Sequence, residues 1–128
     1  MSTPISTLMQ RRVWSVDMDD TVAQVDALLL EHGLSWAPVL DAGRTLLGVI
    51  SASDLLQFHA QGRDPATVRA WQLCTYRPIS VQADAPAEAV ARLMVEHRIH
   101  HAAVIEHDRV VGVVSSLDLL RLLNPGDR

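Results

Sequence analysis

Residues 46–56, LLGVISASDLL, and residues 110–120, VVGVVSSLDLL, are two copies of one segment. Six of the eleven positions are identical and three more exchange one aliphatic residue for another. The copies lie 64 positions apart, and the similarity continues upstream: WAPVL (36–40) matches HAAVI (101–105), EHGLS (31–35) matches EHRIH (96–100), and TVAQVDALLL (21–30) matches PAEAVARLMV (86–95). There the offset is 65, because the turn DAGRT is one residue longer than EHDR. A chain of 128 residues built this way consists of two units of about 60 residues, 1–60 and 68–128, joined by the polar connector 61–67.

Local patterning within each copy predicts β-α-β-β-α. In the first, a short strand is expected over Val13–Val16. Asp19, Asp20 and Thr21 then stand as capping candidates for a helix with Val22, Val25, Leu28 and Leu29 on one face. Gly33 ends that helix. WAPVL and LLGVIS form a hairpin across a turn containing Asp41 and Gly43, and a second helix begins near Ser51 and carries Leu55, Leu56 and Phe58. The second copy predicts a strand at Ile79–Gln82, a helix from Pro86 to His97, the strands AAVIE and RVVGVVS, and a helix over SLDLLRLL. Helices can cover only one face of so small a sheet. A lone copy of about 60 residues is also marginal in size, so the expected α+β fold packs the two repeats sheet to sheet with pseudo-two-fold symmetry.

Composition narrows the function classes. The net charge is −4, with 11 basic residues, all arginine, against 15 acidic ones, and the arginines form no stripe. That balance argues against a nucleic-acid or anionic-membrane binder. No apolar run approaches the roughly 18 residues of a membrane span. The lone cysteine, Cys74, cannot form an internal disulfide and suits a reducing compartment, so a cytoplasmic location is expected. In the apolar stretch WQLC it reads as a buried, inert thiol. No G-x-S-x-G elbow, P-loop or dinucleotide fingerprint is present, which points away from an enzyme.

The duplicated Gly-x-x-Ser-x-x-Asp has two readings. Ser51 and Ser115 can cap helix starts, with Asp54 and Asp118 returning the hydrogen bond. The same helix start offers N–H groups, a hydroxyl and a carboxylate to an anion and a sugar diol. Gly48 and Gly112, inside strands, leave room for another backbone or a ligand to approach.

On these residues the chain resembles a tandem pair of CBS domains, a Bateman module, along nearly its whole length. Val39 with Gly48-Val-Ile-Ser51-Ala-Ser53-Asp54-Leu-Leu, and Val104 with Gly112-Val-Val-Ser115-Ser-Leu-Asp118-Leu-Leu, carry the resemblance. It implies clefts between the repeats and, in many members, an adenine-bearing ligand: AMP, ADP, ATP or S-adenosylmethionine. By position it assigns the ribose hydroxyls to Asp54 and Asp118, and the nearby hydroxyls to Ser51, Ser53 and Ser115. Leu117 departs from the polar pattern of Ser53. The helices of both copies are more apolar than covering one small sheet requires, so a homodimer of modules is expected, as the resemblance also implies, and the module is expected to act on a separate effector protein.

The turn before the hairpin makes the two sites unequal. His100-His101 in the second copy can face phosphate, while Ser35-Trp36 in the first offers a ring that either stacks on a base or fills the core. His97, His100 and His101 have metal-ligand spacing only on a continuous helix. The helix is expected to end near His97, so no metal site is assigned. Trp14 reads as packing, and His32 and His59 show no partner in the sequence. The leading expectation is a ligand-responsive regulatory module; the alternative is a purely structural dimerisation module with empty clefts. Asp118→Asn is expected to fold like wild type and to bind several-fold more weakly, with Asp54→Asn behaving similarly at its own cleft or showing no effect if that cleft is empty.

Overall fold

The computed structural model describes residues 3–124 and divides them into two compact units, 14–78 and 3–13 with 79–124. In the first, β1 (Val16–Asp17) is followed by α1 (Val22–His32), the hairpin β2 (Trp36–Leu40) and β3 (Leu46–Ser51), and α2 (Ala52–Ala60). The β1 strand starts later and is shorter than the expected Val13–Val16, because only Val16 and Asp17 pair, in parallel, with Val39 and Leu40. Thr21 caps α1 in a capping box with Gln24, and Gly33 closes it in the left-handed conformation. Val22, Val25 and Leu29 of α1 pack with Leu55 and Phe58 of α2 against Val39 and Ile50 of the sheet. Leu56, grouped with these on sequence, faces outward.

Within the first unit two further elements have no counterpart in the expected pattern: α3 (Ala70–Leu73) and β4 (Thr75–Tyr76). They complete the first unit. Val68 accepts from the Val22 N–H, the Ala70 N–H donates to Asp20, and β4 runs antiparallel to β3 as the outer strand of the order β1-β2-β3-β4. Val68, Ala70 and Cys74 are buried in that unit's core.

The second unit has the three-stranded sheet β5 (Ser80–Gln82), β6 (His101–Glu106) and β7 (Arg109–Ser115), with α4 (Ala87–His97) between the parallel strands and α5 (Ser116–Leu123) after them. Here too the outer edge is taken by a segment distant in sequence. Gln10 bridges to Val113 through two main-chain hydrogen bonds of 2.8 and 3.0 Å, while the Ile5 and Ser6 N–H groups donate to Ala85 and Ala83. Ile5 and Met9 are core residues of this unit, with Val90, Met94, Val104, Val114 and Leu119.

These outer segments explain the strand glycines. A Cβ on Gly48 would stand 2.5 Å from the Thr75 carbonyl and 2.8 Å from the Cys74 sulfur. One on Gly112 would stand 2.4 Å from the Met9 sulfur. What approaches each glycine is the adjacent segment of its own unit. Among the described residues no helix is long and apolar enough to cross a membrane.

Candidate functional site

Each hairpin ends in a serine that is both the last strand residue and the cap of the next helix. Ser51 Oγ accepts from the Asp54 N–H at 3.2 Å, and Asp54 Oδ2 accepts from the Ser51 N–H at 2.8 Å. At the second motif the same pair of bonds measures 3.2 and 2.9 Å. Both capping boxes are therefore complete. The residue before each hairpin is tied to the same corner: Ser35 O accepts from the Ala52 N–H and His100 O from the Ser116 N–H, both at 2.9 Å.

The β2–β3 register sets Trp36 opposite Ser51, and β6–β7 sets His101 opposite Ser115. The structure thus gathers Trp36, Ser51 and Asp54 at one motif, with Ser53 exposed on the first turn of α2. At the other it gathers His101, Ser115 and Asp118, with His100 exposed just before β6. Trp36 and His101 are both half-buried. Burial, followed by the neighbouring His100, pushes the His101 imidazole below its ordinary 6.5, and the Asp118 carboxylate pulls weakly the other way. His101 is accordingly neutral at pH 7. At the position of Ser53 the second motif carries Leu117, exposed and apolar.

The two carboxylates differ in their surroundings. Asp54 is partly buried and engaged through Oδ2 alone. Asp118 is only 5% exposed and receives three further bonds: from Ser115 Oγ–H at 3.0 Å on Oδ2, and from Gln10 Nε2 at 3.2 Å and Arg121 Nη1 at 3.0 Å on Oδ1. Gln10 and Arg121 were not singled out from the sequence. Arg121 was open to discovery as an i, i+3 partner of Asp118. Gln10 had no signal, since 108 positions separate it from the aspartate it contacts.

Two histidines without an expected partner have one. His59 Nε2 lies 2.7 Å from Asp26 Oδ2, joining α2 to α1, and the His32 ring stacks on Trp14 with centroids 3.5 Å apart. Both contacts arise from packing between elements distant in sequence. The Cys74 thiol, buried beneath Gly48, is pushed above its ordinary value by that burial. Among the described residues no group of three or more His, Cys, Asp or Glu side chains is placed to hold a metal ion.

The CBS-domain family model matches this chain twice, over residues 5–60 and 70–125. Hypoxic response protein 1 of Mycobacterium tuberculosis is 27% identical over 117 residues, covering 91% of this chain and 82% of that protein. A solved Hypoxic Response Protein I, 28% identical with a TM-score of 0.83 and covering 93% and 98% of the two chains, holds two coordinated zinc ions. CBSX2, solved in complex with AMP, is 25% identical with a TM-score of 0.84 over 98% of each chain. The CBS domain pair of protein MJ0100, solved with 5-methylthioadenosine and S-adenosyl-L-methionine, is 23% identical over 98% of each chain, and its TM-score of 0.86 establishes likeness of fold.

Proposed function

The chain belongs to the CBS-domain family, and on that footing we propose that it is a regulatory module that binds an adenine nucleotide or related adenosyl ligand and acts on a separate effector protein. The observation that carries this reading is Asp54. One of its oxygens closes the helix cap, and among the described residues the other accepts no hydrogen bond. A carboxylate fixed at a helix start with lone pairs to spare can take both hydroxyls of a ribose. Trp36, across the hairpin from Ser51, offers a ring to the base, and Ser51 and Ser53 offer hydroxyls. At the second motif Asp118 and Ser115 hold the corresponding positions, and His100 and His101, beside Ser115, are the groups that would meet a phosphate. The AMP complex of CBSX2 supports an adenine ligand.

The module works by binding and not by catalysis: its one cysteine is buried with a raised pKa, and each motif aspartate is held within its own helix cap. It acts as a homodimer in the cytoplasm. Leu30 and Val95, and likewise Leu56 and Leu120, are exposed at repeat-equivalent helix positions, as a face that meets a second copy requires.

A second reading, a structural dimerisation module without ligand, is favoured by the completeness of both capping boxes, which explains the motif by folding alone. Titration with AMP, ADP, ATP and S-adenosylmethionine separates the two. A ligand-dependent rise in melting temperature supports the regulatory reading, and no rise with any of the four at millimolar concentration refutes it.

A further inference from the structure

A carboxylate has about four lone-pair sites for hydrogen bonds. At Asp118 all four are taken: Oδ2 accepts from the Ser115 N–H and Oγ–H, and Oδ1 from Gln10 Nε2 and Arg121 Nη1. At Asp54 one is taken, by the Ser51 N–H. Apart from the Ser115 Oγ–H bond, the difference lies outside the motif. Gln10 pairs with Val113 on the outer edge of the second sheet, and Thr75, 65 positions later, pairs with Val49 on the edge of the first. A threonine hydroxyl lacks the reach of a glutamine carboxamide. Arg121 likewise stands where the first repeat has Gln57. Among the described residues neither Thr75 nor Gln57 hydrogen-bonds Asp54.

We propose that Gln10, assisted by Arg121, closes the second motif to a ribose, so that the chain takes a single nucleotide, at Asp54, and that removal of Gln10 opens the second site. This rests on the adenine-nucleotide reading above and specifies which motif serves it. Gln10 is the stronger of the two closures. Its main chain is pinned to Val113 by hydrogen bonds on both sides, and Met9 beside it is buried, so its carboxamide is held over Asp118 before any ligand arrives. The Arg121 side chain is 64% exposed and can turn to water. A ribose diol brings two donors, and at Asp118 it must displace two that are already in place.

Calorimetry with AMP on wild type, Asp54→Asn, Gln10→Thr and the Gln10→Thr/Asp54→Asn double variant tests this. Gln10→Thr gives the edge of the second sheet the residue that holds the equivalent edge position in the first, and keeps the main-chain pairing with Val113. Wild type is expected to bind a single AMP per chain, Asp54→Asn to bind at least tenfold more weakly, and the double variant to bind about tenfold more tightly than Asp54→Asn, the equivalent of one hydrogen bond to a charged group. Should the double variant fail to fold, Gln10→Thr alone decides by its stoichiometry, which rises to two sites. Wild-type affinity in Asp54→Asn, or no gain on removing Gln10, overturns the closure. If wild type binds no AMP but the double variant does, the nucleotide reading of the native protein fails while the closure stands; if neither binds, both fall.

Discussion

Replacing Asp118 by asparagine is expected to destabilise the protein by about 2–3 kcal/mol, and the same change at Asp54 by about 1 kcal/mol. All four groups around the Asp118 carboxylate are donors, and an amide offers one oxygen and an –NH2. With its oxygen toward Ser115, asparagine keeps the cap but loses the charge in two hydrogen bonds. Bonds to a charged group are worth roughly 1.5–3 kcal/mol against roughly 0.5–1.5 for neutral ones, so the loss is about 1 kcal/mol each. The –NH2 then faces Gln10, which can turn its own amide to accept, and Arg121, whose exposed side chain leaves for water at a cost below about 1 kcal/mol. At Asp54 a single bond loses its charge, the –NH2 has no donor to oppose, and the weakened helix-start interaction contributes a few tenths of a kcal/mol. The expectation that both asparagine variants fold like wild type is thereby narrowed to Asp54. At about 4 °C per kcal/mol for a chain of this size, Asp118→Asn should melt about 4–8 °C below Asp54→Asn, by calorimetry or circular dichroism. Equal melting temperatures would show that Gln10 and Arg121 do not engage the carboxylate in solution.

Three further outcomes follow from the packing. Gly48→Ala sets a methyl against the Thr75 carbonyl, a backbone atom of a paired strand, and should cost about 1–3 kcal/mol; Gly112→Ala meets first the Cγ and Sδ of the Met9 side chain, with the Gln10 carbonyl farther off at 3.0 Å, and should cost less, and urea denaturation giving the reverse order refutes the assignment. Since burial lowers the folded pKa of His101, the unfolded chain binds its proton more readily. Stability should therefore be intact above pH 6.5 and fall as pH drops from there toward the folded value. The variant His101→Gln should lack that component, and identical melting-temperature slopes between pH 7.5 and 5 would refute it. Light scattering at micromolar concentration should give a particle of about twice the 14.1 kDa chain, and a stable monomer would refute the homodimer.

What was legible in the sequence was local or repeated. The capping boxes at Ser51 and Ser115 were readable because each closes within three residues, and the hairpins because turn residues sit between apolar runs. The ends of α1 and α4 were readable for the same reason, although Arg98 adopts at one end the left-handed conformation that Gly33 supplies at the other. The outer segments were not readable. A two-residue strand such as Thr75–Tyr76, or the single bridge at Gln10, carries no periodicity, and its partner lies across the chain. Gly48 and Gly112 announced that something comes close without saying what.

That blindness has a physical origin, and it bears on the site. The duplication persists in the outer segments as geometry where it has faded as sequence. Met9 and Cys74, 65 positions apart, each place a sulfur against a strand glycine, and Ile5 and Ala70, also 65 apart, are both fully buried. Packing against a glycine demands a side chain that fits the space, and several residue types do, so identity drifts while the contact stays. The next position outward is under no such demand: Gln10 and Thr75 hold their edges through main-chain atoms, leaving the side chains to diverge. At the second motif that side chain reaches the aspartate, Gln10 donating to Asp118. The two motifs could therefore keep the same serine, the same aspartate and the same cap, and still come to differ in the one property that decides whether a diol can bind, the number of lone pairs left on the carboxylate.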